Sequence, residues 1–304
     1  TIAAKLVEVL LEAGFQENAF QFLTGSGGTI GDLLIESPTT RFISFTGSKA
    51  VGLRINELAA RHQSGQRWIK RVVAEMGGKN GIIVADDADL DAAADGVTAS
   101  AFGYQGQKCS ACSRAIVDEK VHAEFVDKLL ARVKKLRVGP AEDPDNSMGP
   151  VINESARRSI LGYVEKGKLE GQLLAGGEPA PGDGYFIEPT VFDGISREAV
   201  LFQEEIFGPV LGITKARDFN HAIELANATE YGLTGAVYTR SEERIRQAFD
   251  EFFVGNLYAN RKSTGAMVAS HPFGGFNMSG TDSKAGGPDY LHLFLQPKSL
   301  ARKL

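Results

Sequence analysis

Apolar residues recur at helical spacing from the start of the chain: Leu6, Val7, Leu10 and Leu11 share one face within 3–13, and Gly14 follows where a left-handed cap closes a helix. The period then changes. AFQFLTG (19–25) is a short apolar run that predicts a strand closed by the glycine turn at 25–28, and GTIGDLLIES (28–37) returns to helical spacing. RFISFTGS (41–48) predicts a second strand, Val51, Leu53, Ile55 and Leu58 a helix punctuated by Gly65, and WIKRVVAE (68–75) a third strand. After GGKN (77–80) the cycle restarts with IIV as a strand, DDADLDAAADG as an acidic helix start, SRAIVD (113–118) as a strand and a long helix near 120–136. Strands alternating with helices predict β-α-β units around a parallel sheet, because parallel neighbours need a crossover between them. The expected fold class is therefore α/β.

Two further stretches shape the picture. GPAEDPDNSMGPVIN (139–153) is rich in Pro, Gly, Asp and Asn and reads as a surface connection. LHLFLQPKS (291–299) alternates apolar and polar side chains like a strand, with no partner downstream, which points to pairing with another subunit. The chain also opens in a helix that feeds a strand, so the first strands of that sheet are expected to be missing and the chain to be truncated.

Composition narrows the class. With 304 residues, 43% hydrophobic and 23% charged, the chain has room for a sizeable core and two domains. The 33 basic residues against 38 acidic ones form no long like-charged run, which argues against nucleic acid as a partner. No apolar run approaches the roughly 20 residues that cross a bilayer, so no membrane partner is expected. The two cysteines, at 109 and 112, are too close to staple a chain of this size, which favours a reducing, cytoplasmic setting.

Those cysteines carry the candidate chemistry. A structural metal site wants four Cys or His ligands, and Cys109-x-x-Cys112 has no second pair among five scattered histidines. A thioredoxin-like pair sits at a helix start after a strand, whereas here a helical pattern precedes and a strand follows. Core filler suits Cys112, which leads into the apolar strand, better than Cys109, which sits on a glycine turn beside Lys108. Cys109 is the candidate nucleophile, with the cationic neighbour expected to favour the thiolate. Glu75, at a strand end before a double glycine, is the candidate base for activating water. FTGSKAVG (45–52) sets Gly and Ser between a strand and a helix, where backbone N–H groups bind phosphate. QEEIFGPV (203–210) and the glycine-rich loop 263–280 read equally well as ordinary loops or as ligand-contacting ones.

In this order, FTGS, E-x-GGK, GQ-x-C, EEIFGPV and PFGG-x-x-x-SG closely resemble the aldehyde dehydrogenase superfamily over nearly the whole chain. GQKCSACSR, NRKSTGA, EYGLTGAVYTR and SGTDSKAGGPDYL are similar to its bacterial branch acting on L-glutamate γ-semialdehyde, which is 1-pyrroline-5-carboxylate in its cyclic form, in proline breakdown. The resemblance implies a Rossmann-type cofactor domain, here truncated, in 1–75, an α/β catalytic domain in 76–285, and a tail in 286–304 with an oligomerisation strand. It implies NAD as cofactor, a small aldehyde as substrate and a homo-oligomer, dimer or higher. By the same resemblance Cys109 forms a thiohemiacetal and then a thioester, and Glu75 activates the water that releases glutamate. Gly47, Ser48 and Gly52 lie by the cofactor phosphates, Glu205 holds the nicotinamide-side ribose, and Phe207 packs near the ring. Lys108, Ser110, Gly265 and Ala266 bind the substrate's charged end, and Phe273 lines the aldehyde channel. The family pattern also has an N-terminal part carrying the first strands, a lysine for the adenosine ribose and an asparagine for the oxyanion. Without it, two alternatives stand beside the first reading: a non-catalytic remnant acting as an assembly module, or an enzyme for another aldehyde.

Overall fold

The computed structural model describes residues 2–267 and 269–303. The first elements are α1 (Ile2–Glu12), α2 (Gly27–Glu36), β1 (Phe42–Thr46), α3 (Lys49–Ala60) and β2 (Arg71–Glu75). Next come β3 (Asn80–Val84), α4 (Leu90–Phe102), β4 (Cys112–Asp118), α5 (His122–Val133), α6 (Glu154–Glu170), β5 (Gln172–Ala175) and β6 (Thr190–Asp193). The chain continues through α7 (Val200–Gln203), β7 (Val210–Ala216), α8 (Phe219–Ala226), β8 (Tyr231–Gly232), β9 (Thr234–Tyr238), α9 (Glu242–Glu251), β10 (Asn256–Ala259) and β11 (Phe276–Asn277). Gly14 caps α1 in the left-handed region, at φ 91°, as its position after the last periodic leucine predicts.

The contacts divide the chain into two compact units, one of residues 1–43 and 53–72 and the other of 44–52 and 73–304. In the smaller, the Lys70 ammonium donates to the Ile35 carbonyl, Arg54 pairs with Asp32, and the Trp68 indole N–H donates to the Thr40 carbonyl at 3.0 Å.

The larger unit is built on a seven-stranded sheet in the order β10-β9-β3-β4-β7-β6-β5, parallel except for the β6–β5 pair at one edge. Every residue of β3 is buried, as expected of a strand covered on both faces. Side chains alternate along the strands, so Ile83 and Ile116 pack with Val164 of α6 and Ile223 of α8, while Ile82, Val84 and Val117 pack with Val97 of α4 and Phe125 and Leu129 of α5. Asp89 caps α4 by accepting the Asp91 and Ala92 N–H groups at 3.1 Å each.

Two expected strands are absent. Residues 19–25 form no strand and expose Phe20, Phe22 and Leu23: a strand exists only through the ladder to a neighbour, and apolar character alone supplies none. The terminal strand expected at 291–299 is a 3₁₀ turn at Tyr290–Phe294 followed by irregular chain, for the same reason. No described helix is long and apolar enough to cross a membrane.

Candidate active site

Three neighbouring strands of the large sheet begin at one edge: β3 at Asn80, β4 at Cys112 and β9 at Thr234. The turn carrying Cys109 lies just ahead of β4, so the candidate nucleophile sits at the amino ends of the parallel strands, opposite to the carboxyl-end crevice of most open α/β sheets. One buried amide ties this edge together. Asn80 Nδ2 donates to the Cys109 carbonyl at 2.7 Å and the Ala111 carbonyl at 2.8 Å, and its Oδ1 accepts the Thr234 N–H at 3.0 Å. Upstream, Tyr104, Gln105 and Gly106 are all left-handed, with φ of 58°, 56° and 66°. For the two residues with side chains that costs about 1–3 kcal/mol each, strain of the kind that collects at functional sites. Gly106 is also required by space, since a Cβ there would collide with the backbone carbonyl of Gly208.

The two thiols differ. Cys112 is buried, its S–H donates to the Arg114 carbonyl at 3.5 Å, and burial pushes it up to about 12, which leaves it a core side chain. The Cys109 thiol is also pushed up, first by burial and then by the negative charge of Glu205, with Glu75 adding to it and the Ser110 N–H opposing. The cationic help expected of Lys108 does not prevail: its ammonium lies over the Tyr104 ring, 5.8 Å from the centroid, and burial and Glu205 outweigh any cation in setting the thiol.

Two cavities flank this turn and share Lys108 and Ser110. One, of about 610 Å³, is lined by Gly47, Ser48, Gly77, Cys109, Glu205 and Phe207 among others. The other, of about 500 Å³, is lined by Gly265, Ala266, Phe273 and His271 with the two shared residues. Gly52 lines neither; it packs against Met76, whose side chain lies where a Cβ at 52 would be. Phe207 is itself left-handed, at φ 55°, and the residue is 46% exposed.

Glu205 is held by the backbone. Its carboxylate accepts the Gly78 N–H at 3.0 Å and occupies the space a Gly77 side chain would fill. Burial raises its pKa, the Gly78 N–H and buried Lys79 offset part of that, and Lys79, with no hydrogen-bond partner for its ammonium, is pulled down to about 7 by burial and nearby Arg114. Glu75 contrasts with it. Both its oxygens are buried without a normal hydrogen bond, and burial raises it to about 7 against the opposing charge of Lys284. It lines neither cavity, lying instead among Gly274, Gly280 and the end of β2, where Gly280 bridges it in antiparallel fashion.

Asn80, Lys79, His271 and Lys284 were not singled out by sequence reasoning. The available signal for the first two was a polar pair opening a strand that is otherwise entirely apolar. Among the described residues, no group of three or more His, Cys, Asp or Glu side chains is arranged to hold a metal ion.

A family model described as "Aldehyde dehydrogenase family" matches residues 1–300. The chain belongs to the aldehyde dehydrogenase family. It is 58% identical over 298 residues to a 1-pyrroline-5-carboxylate dehydrogenase of Bacillus subtilis (strain 168), covering 98% of this chain and 58% of that protein. The enzyme of that name from Geobacillus sp. (strain WCH70) is 55% identical over 300 residues, again 58% of its length. Among solved structures, a 1-pyrroline-5-carboxylate dehydrogenase from Thermus with bound NAD superposes with a TM-score of 0.95 at 51% identity, over 96% of this chain and 57% of that one. A betaine aldehyde dehydrogenase from Staphylococcus aureus in complex with NAD+ gives 0.89 at 32%, over 95% and 56%. The chain thus spans somewhat over half the length of these aldehyde dehydrogenases.

Proposed function

We propose that this chain carries the reacting half of an NAD-dependent dehydrogenase that oxidises L-glutamate γ-semialdehyde to L-glutamate. The observation that carries the reading is the pair of cavities on either side of the Cys109 turn, one walled by the candidate cofactor residues and the other by the candidate substrate residues. Residues 1–75 then belong to the cofactor domain and 76–285 to the catalytic domain.

The residues present fit a dinucleotide. Gly47 and Ser48 precede a helix of 12 residues, whose first N–H groups favour a phosphate, and the bare Cα of Gly77 leaves the Glu205 carboxylate at the cavity wall as an acceptor for a ribose hydroxyl. When bound, NAD supplies the hydride acceptor. The chain's own work is at sulfur. Cys109 gives its proton to solvent water, and the thiolate adds to the aldehyde carbon to give a thiohemiacetal; after oxidation, the acyl group remains on sulfur as a thioester. A water then adds to the thioester carbonyl and its proton passes to Glu75, whose side chain must turn out from behind the cavity wall to take it; the carbon–sulfur bond breaks, glutamate leaves, and the thiolate regains a proton. A carboxyl group titrating at about 7 is half ionised at neutral pH, the range in which a general base is effective. In the second cavity, Ser110 and the backbone at Gly265 and Ala266 offer donors to the substrate's carboxylate, with Lys108 and Phe273 also in its lining.

The test is the full chain with NAD and glutamate semialdehyde, followed by NADH absorbance and by mass spectrometry of the trapped adduct. The expected outcome is an adduct on Cys109 that Cys109→Ala abolishes together with turnover. Adducts formed only with neutral aldehydes would move the substrate assignment to another aldehyde. A folded chain with neither adduct nor NAD binding by calorimetry would leave the assembly-module reading.

A further inference from the structure

Glu75 is buried without a hydrogen-bond partner, so something else must keep its carboxyl group in place and ionisable. The wall in front of it is the segment 272–287. Within this segment Phe273 and Ala285 pair as an antiparallel bridge, with N–H to carbonyl distances of 2.9 and 2.7 Å. Gly274 follows, so near Glu75 that a Cβ there would lie 3.0 Å from Oε1. Lys284 ties this wall to the sheet. Its ammonium donates to the Gly255 carbonyl, to the Gly274 carbonyl at 2.7 Å, and at the longer distance of 3.5 Å to Asn256 Oδ1. Asn256 closes the loop, accepting the Gly274 N–H at 3.3 Å and donating to the Pro272 carbonyl at 2.9 Å.

The charged and titratable groups acting on Glu75 are few. Lys284 and Asp282 face it from the 272–287 segment with opposite signs, and Cys109 couples to it from the turn ahead of β4. The Gly275 N–H favours the carboxylate from outside normal hydrogen-bond geometry. Among the described residues, Lys284 is the cation opposing the burial of this carboxylate, and it does so while donating to two backbone carbonyls and to Asn256 Oδ1.

We propose that Lys284 is a positioning residue for Glu75: its ammonium locks the Gly274 wall against the carboxyl group and supplies the positive charge that keeps the carboxylate available as a base, with Asp282 setting the opposite bias. The inference rests on reading Glu75 as the base of thioester hydrolysis, and two readouts separate the two claims. The first is independent of activity: infrared titration of the protonated-carboxyl band that Glu75→Gln removes. In Lys284→Met this band should titrate about one pH unit higher, as expected on losing a nearby opposite charge. Asp282→Asn should move it the other way, and Asn keeps a residue that tolerates the left-handed backbone at 282, where φ is 57°. Lys284→Arg should hold it near the wild-type position.

The second readout is hydrolysis of p-nitrophenyl acetate by the full chain without NAD. The Cys109 thiolate forms a bond to the ester carbonyl carbon, the ester C–O bond breaks and p-nitrophenolate leaves; water then adds, gives a proton to Glu75, and acetate departs as sulfur is reprotonated. The burst reports acylation, and the acid limb of the steady rate should follow the infrared shifts, with about a tenfold lower rate below the limb in Lys284→Met. If the band titrates at the same pH in Lys284→Met and Asp282→Asn, the proposal is overturned, whatever the ester rates. A wild-type chain without a burst would sink the nucleophile assignment instead, while the infrared titration still decides on Lys284. Should Lys284→Met fail to fold, Asp282→Asn and Lys284→Gln decide by the same opposite shifts.

Discussion

The surroundings of Glu205 and of Glu75 present the same chemical problem, a carboxylate buried within electrostatic reach of Cys109, and solve it differently. Around Glu205 the backbone supplies a donor at 3.0 Å and a bare glycine makes room, so the side chain is fixed. Around Glu75 neither oxygen has such a partner, two glycines form the walls, and the group is poised near neutrality. A satisfied carboxylate is suited to holding something still. An unsatisfied one is suited to exchanging a proton.

The comparison breaks most sharply on Glu75→Gln. If this group is the base, the deacylation rate should fall by about 10²–10⁴ while the acylation burst survives, as stopped-flow measurement with p-nitrophenyl acetate would show. Equal loss of both phases would mean that the two carboxylates do not divide the work. A smaller effect is expected from Glu205→Gln, which weakens a charged acceptor: the Michaelis constant for NAD should rise roughly tenfold to a hundredfold, given about 1.5–3 kcal/mol for such a bond, while the acylation burst without NAD survives with its pH dependence moved to lower pH, because a charge that raises the Cys109 thiol is gone. Smallest is the stability difference. Because the folded state raises Glu75 from 4.5 to about 7, the stability it contributes in its protonated form is fully present below pH 4.5 and is lost as the pH rises through 7. Glu75→Gln should therefore raise the melting temperature at pH 8.5, by about 2–4 °C per kcal/mol relieved, and leave it unchanged near pH 4. Glu205→Gln should show a gain of the same sign but smaller, because the Gly78 N–H and Lys79 favour the charged form there.

Hydropathy made the β3–α4–β4–α5 unit legible because each element there is defined by its own periodicity and by local caps such as Asp89. It misread 19–25, where apolar content mimics a strand but the hydrogen-bonding neighbour that makes one is a property of distant chain; the strand expected at 291–299 was to pair with another subunit and does not form within one chain. The same limit applies around the candidate site. Cys109, Glu75, Glu205 and the 263–280 loop carried signals in glycine spacing and residue type, and the fold brings them around two adjoining cavities, with Glu75 set behind their walls. Lys108 beside Cys109 was read by adjacency as its activator, yet a one-residue offset in a tight turn sends the side chain to Tyr104. Asn80 and Lys284 act through carbonyl groups 10 to 31 positions away, and Asn80 also through the distant Thr234 N–H, which no local pattern encodes.

The contact of Gly106 with the Gly208 carbonyl gives the thiol turn and the Glu205–Phe207 loop a common hinge pin one hydrogen atom wide. A methyl group added at 106 would act as a wedge between the two walls, since it would meet that carbonyl and one of them would have to give way.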